Sequence, residues 1–226
     1  ASRFSGQDQI PFRGWESVTV PGAVSAWVEL SSRFGELPFE TLFEPAIGYA
    51  SSGFPVSPII ATLWERAGEQ LGDQPGFAET FMPKGNTPKA GEYFQSPGHA
   101  RTLQLIAETN GRAFYEGEIA EKITAYAKAH GAALTVEDMA SHKADWCGTI
   151  LRRFDDVALH EIPPNGQGIA ALMALGILSQ TNIRDMHADD PMAAHLQIEA
   201  IKLALRDTEA YVADLDYMRD VTVENL

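Results

Sequence analysis

The sequence has 226 residues, 45% of them hydrophobic, which is enough apolar material for a sizeable packed core. No run approaches the roughly 20 apolar residues that a membrane helix needs, so no span is predicted. A formal net charge of −14 excludes a phosphate-neutralising surface, so nucleic acid is not an expected partner.

Gly6, Pro11 and Gly14 mark residues 1–20 as irregular. Pro21-Gly22 then opens a helix that stops at Gly35, with Val24, Trp27, Val28 and Leu30 as its expected apolar stripe. A second helix is predicted over 39–52, with Leu42, Phe43, Ala46, Ile47 and Ala50 on one face, and a third from Pro58 to Leu71. Residues 73–95 are rich in Gly, Pro, Asn and Lys and predict a long surface loop, of the length that covers a site in some proteins and is plain solvent-facing chain in others.

Ser96-Pro97 has the form of an N-cap and first-turn pair for a helix through Thr109. A short aromatic turn, Ala113-Phe-Tyr115, leads into a helix carrying Ile119, Ile123, Tyr126 and Ala127. Thr135-Val-Glu-Asp138 has the pattern of a capping box. The period then shortens: Thr149-Ile-Leu151 and Val157-Ala-Leu-His-Glu-Ile162 read as a hairpin around Asp155-Asp156. After the Pro163–Gly168 turn, Ile169 to Leu178 reads as a buried helix. A last helix from Pro191 to about Val212 is expected to turn Ala194, Ile198, Ile201, Leu205 and Tyr211 inward.

The predicted fold class is therefore mainly α with a small β-hairpin, in one piece over 1–226: helices over 21–72, a loop over 73–95, helices over 96–142, a hairpin over 147–162 and helices over 166–213. The lone cysteine, Cys147, can form neither an internal disulfide nor a cysteine zinc site, and its β-prone surroundings predict a buried small hydrophobe. No targeting peptide is visible at Ala1-Ser-Arg-Phe4, and both ends read as cut from a longer chain.

Few patterns carry chemistry. The histidines lack an H-E-x-x-H spacing, so no metal site is predicted, and neither a dinucleotide fingerprint nor a P-loop points to a cofactor. Gly166-Gln-Gly168 precedes a helix but has no third glycine or βαβ frame, and reads as a turn. No G-x-S-x-G elbow is present. Asp185, Asp189, Asp190, Asp214 and Asp216 read as solvated loop and cap residues.

Ordered segments of the chain resemble the large-subunit region of the γ-glutamyltranspeptidase family. Val18-Thr-Val-Pro-Gly-Ala-Val-Ser-Ala-Trp27 is similar to a V-P-G-x-V helix start found especially in the acylase-like branch. Leu37-Pro-Phe-Glu-Thr-Leu-Phe-Glu-Pro-Ala46 and Gly53-Phe-Pro-Val56 follow in the family's order. So do Leu103–Ala107, Ala113-Phe-Tyr-Glu-Gly117 with Glu118-Ile-Ala120, and Leu134–Asp138. Ile162-Pro-Pro-Asn-Gly-Gln-Gly168 resembles the P-P-x-x-x-G turn. Glu199–Ala204 with Arg206-Asp207 and Tyr211 resembles a late helix, with Arg and Asp exchanged.

The resemblance implies the helical portion of an αββα N-terminal nucleophile hydrolase large subunit, made in a precursor that cuts itself in two. It implies a small-subunit partner from the same precursor and a γ-glutamyl or related acyl amide as substrate. The nucleophile would be a Thr outside this chain, its own α-amine acting as base, so no catalytic residue is assigned and Thr135, Thr149, Thr181 and Thr222 are not candidates. The family's large subunit also supplies an Arg for the substrate carboxylate, a bidentate task. Arg3 stands nearest the expected place, with Arg13 as the weaker alternative; two plain surface arginines are an equally open reading. The compartment is left open between bacterial periplasm and cytoplasm. The competing reading is a non-catalytic helical binding or scaffold module that keeps the same fold.

Overall fold

The computed structural model describes residues 2–7, 9–218 and 222–223. They fall into two units, Ala1–Ala144 and Asp145–Leu226, a division that the sequence reading does not draw.

The first unit is mainly helical. Short 3-10 turns at Ser2–Phe4 and Trp15–Ser17 precede α1 (Ala23–Phe34). Residues 39–52, expected as one helix, are instead a 3-10 turn, Phe39–Phe43, running into α2 (Glu44–Ser52). Pro45 is the reason: it has no N–H to donate to the Thr41 carbonyl, so the preceding turn tightens. A two-residue strand β1 (Phe54–Pro55) leads to α3 (Pro58–Leu71), whose N-cap Ser57 accepts from the Ile60 N–H.

The expected loop 73–95 carries two elements: α4 (Phe77–Phe81) and β2 (Tyr93–Phe94), which pairs antiparallel with β1. Gly76 takes the left-handed conformation that starts α4. Phe77 and Phe81, one turn apart, meet as tilted rings with centroids 5.1 Å apart, and Phe81 meets Trp64, which also packs edge-on against Phe94 at 4.6 Å. The polar composition of the segment masked this aromatic anchor.

Next come α5 (Pro97–Glu108), α6 (Arg112–Glu116), α7 (Glu118–Ala129) and α8 (Val136–Ser141). Thr135 forms the predicted capping box with Asp138. Ser96 stands at the α5 N-cap, but its hydroxyl bonds the His99 Nδ1 at 2.5 Å rather than the backbone. The core gathers Val24, Phe43, Ile106, Ala107 and Ile119, with Ile47, Phe114 and Ile123 against it. Only Val24 of the α1 stripe is buried; Trp27 and Leu30 are about half exposed, and Leu42 beside α2 is exposed likewise.

In the second unit, β3 (Ile150–Phe154) and β4 (Val157–Glu161) form the predicted hairpin, with Asp155 in the left-handed region at its turn. Two helices follow, α9 (Ile169–Leu178) and α10 (Pro191–Tyr211), the latter capped by Asp190. The buried face of α10 overlaps the expected one at Ile201, which packs partly buried against the core, but its centre lies elsewhere. Ala193, Ala200, Ala204 and Thr208 point inward, whereas Ile198, Leu205 and Tyr211 are exposed. Because α9 is apolar all round, it supplies the bulk, and a stripe of small residues on α10 lets the helices approach closely. Cys147 is also not buried as expected; it lies exposed in the irregular stretch before β3. Among the described residues, no helix is long and apolar enough to cross a membrane.

Candidate functional site

The segment before α1 is held at both ends. At its start, the Arg3 guanidinium engages the Glu16 carboxylate through Nε and Nη2, and Nη2 also donates to the Gly131 carbonyl just beyond α7. A cation there faces the negative end of the α7 dipole. The same contact with Arg3 holds the Glu16 carboxyl below its usual range, chiefly through the hydrogen bond and then through charge, and raises Arg3 further. Trp15 packs on Tyr126 with ring centroids 6.0 Å apart, fixing the turn that carries Glu16 against α7. Arg13 lies elsewhere, its Nη2 donating to Gln70 Oε1 at 2.9 Å. The structure thus brings Arg3, not Arg13, to the α7 end, and shows its charge already paired.

The other end of the segment is the Pro21-Gly22 turn. The Tyr115 hydroxyl donates to the Pro21 carbonyl at 2.7 Å and accepts from the Ser25 N–H at 3.0 Å. The Ser25 hydroxyl lies 2.8 Å from the Gly22 carbonyl and 2.9 Å from His142 Nε2. The His142 ring stacks on Tyr115, centroids 5.2 Å apart and planes 24° from parallel. Ser25, Tyr115 and His142 line one wall of an open cavity of ≈ 430 Å³ that Arg112 and Lys143 also border. Nothing in the spacing of residues 25, 115 and 142 announces this cluster, since it is assembled from α1, α6 and the C-cap of α8.

The loop 73–95 borders a larger open cavity of ≈ 790 Å³ against α3, with Glu65, Lys84, Lys89 and Tyr93 in its lining. In the second unit, the Pro163–Gly168 turn seats α9: Pro164 is buried, and the Ala171 N–H donates to the Gly168 carbonyl at 3.0 Å. A Cβ at Gly168 would overlap the Glu161 carboxylate, so the anion-attracting end of α9 already faces a carboxylate of its own chain. Thr135, Thr149 and Thr181 serve local structure. Thr135 caps α8, Thr149 Oγ1 bonds His160 Nδ1 at 2.9 Å, and Thr181 donates to the Leu178 carbonyl.

Known proteins place this architecture. The family profile described as Gamma-glutamyltranspeptidase matches residues 2–226. The chain is 35% identical over 231 residues to the oxamate amidohydrolase proenzyme of Klebsiella pneumoniae, and 32% identical over 224 residues to the glutathione hydrolase-like YwrD proenzyme of Bacillus subtilis. Each match covers 99% of this chain but 43% and 42% of the relative, so the chain spans about two fifths of their length. The crystal structure of a cephalosporin acylase from Bacillus halodurans superposes with a TM-score of 0.91 at 42% identity, covering 99% of this chain and 42% of that one. The Helicobacter pylori γ-glutamyltranspeptidase shares the fold at a TM-score of 0.87 and 23% identity, covering 96% of this chain and 62% of that one. From its second residue to its last, the chain belongs to the γ-glutamyltranspeptidase family of N-terminal nucleophile hydrolases.

Proposed function

We propose that residues 1–226 are the large-subunit part of a γ-glutamyltransferase or amide hydrolase whose nucleophile is the N-terminal Thr of a small subunit, released by self-cleavage of one precursor. The observation that carries this reading is the family match over residues 2–226, in a chain that spans about two fifths of relatives named as proenzymes. The local roles of Thr135, Thr149 and Thr181 agree with it, because each hydroxyl is engaged in a cap, a hairpin contact or a helix end. The substrate is a γ-glutamyl or related acyl amide. The new α-amine acts as base, and water or an acceptor amine takes the acyl group.

Within that reading Arg3 takes the substrate carboxylate by exchanging it for Glu16, one carboxylate replacing another in the same bidentate fork. The 42% identity to a cephalosporin acylase favours the acylase-like branch. Incubating the full-length precursor with a γ-glutamyl anilide and with a glutaryl amide separates the branches. Turnover of the glutaryl amide after self-cleavage is expected; cleaved precursor that turns over neither amide would remove the enzyme reading and leave a binding or scaffold module.

A further inference from the structure

The pairing of Ser25 with His142 has the outward form of a nucleophile and its base, and the hydrogen-bond inventory decides against that. A serine hydroxyl has one proton and two lone pairs. The Gly22 carbonyl, 2.8 Å from Ser25 Oγ, has no proton, so it must receive the serine's. The contact of 2.9 Å to His142 Nε2 is then a bond only if Nε2 carries the imidazole proton and donates it to Ser25. The Tyr115 hydroxyl likewise spends its proton on the Pro21 carbonyl and accepts from the Ser25 N–H. Both carbonyls of the Pro21-Gly22 turn are thus closed by side chains, and the His142 ring is fixed by stacking on Tyr115. Gly22 leaves room for it: a Cβ there would stand 3.4 Å from the His142 ring.

We infer that Ser25, Tyr115 and His142 form a polar clamp that positions the segment before α1, with His142 as donor and Ser25 as relay rather than nucleophile. Resting on the functional reading above, the clamp is a positioning device for substrate binding. Glu16, which holds Arg3, lies only a short extended stretch before Pro21, with the Arg3 and Trp15 contacts at α7 anchoring the far end. Freeing the turn lets one end of that stretch shift and moves the Arg3 fork relative to the substrate carboxylate.

Two measurements on the full-length precursor test this. The first is the ¹⁵N signature of the neutral His142 ring, which is expected to show the proton on Nε2. A proton on Nδ1, with Nε2 accepting from Ser25, would overturn the clamp. The second compares His142→Phe, which keeps the stack and loses the donor, with His142→Gln, which keeps a donor. For the Phe variant, KM is expected to rise about tenfold with kcat within about twofold, and Gln is expected to recover most of the loss. Loss of kcat at unchanged KM, or no difference between Phe and Gln, would overturn the positioning role. A wild-type precursor that turned over neither amide would instead remove the functional reading, and the tautomer measurement would still decide the clamp.

Discussion

Gly111 shows how much one position can decide. It sits at φ +79°, opens α6, and a Cβ there would come within 2.8 Å of Val28 Cγ2 and 3.2 Å of Val24 Cγ1. Strained backbone and a clash in the core act together, so Gly111→Ala should cost about 1–3 kcal/mol, read as a lower urea midpoint at unchanged slope. The Glu16 side chain is 34% exposed, and Arg3 holds its carboxyl below the usual range. A lowered carboxyl contributes stability above its unfolded pKa and loses it as pH falls through its folded pKa. The Arg3–Glu16 contact is therefore expected to open only in acid below the ordinary glutamate range. In an NMR titration, Arg3→Ala should return Glu16 to that range; a Glu16 titration that Arg3→Ala leaves unmoved would refute the pairing.

At the scale of elements, the pairing of α9 with α10 carries the second unit. Ala200 and Ala204 are 2% and 0% exposed and lie against Ile169, Met173 and Leu178. Their small size sets the interhelical distance. Ala204→Leu should push the helices apart at a cost of about 1–3 kcal/mol, measured by thermal or urea unfolding. Ile198→Ala, on the exposed face, should change stability by less than about 0.5 kcal/mol. Equal effects from the two substitutions would contradict the burial of Ala204 against α9.

Over the whole molecule, the exposed apolar side chains bear on what the isolated chain can do. Leu151 and Val157 on the hairpin, Ile162 just after it, and Ile198, Leu203 and Leu205 on α10 are all more than 45% exposed. A two-stranded ribbon is marginally stable alone. On the proposed reading, the rest of the precursor contributes the nucleophile and further burial. Purified 1–226 is therefore expected to show no amide turnover and to melt below the full-length protein. Turnover by 1–226, or an equal melting temperature, would contradict that.

The sequence by itself determined the helical class, most element ends, the hairpin, the α8 capping box and the family. These depend on local period, on Pro and Gly stereochemistry and on ordered motifs, all legible along the chain. It missed the break at Pro45 by following periodicity past a proline, and it missed α4 because polar neighbours outweighed one aromatic pair. Only the tertiary structure decided which face of α10 is buried, since that depends on the shape of α9, and only it exposed Cys147. The Ser25, Tyr115 and His142 cluster and the pairing of Arg3 with Glu16 were beyond reach for the same reason: their partners meet in space at separations that no local pattern encodes.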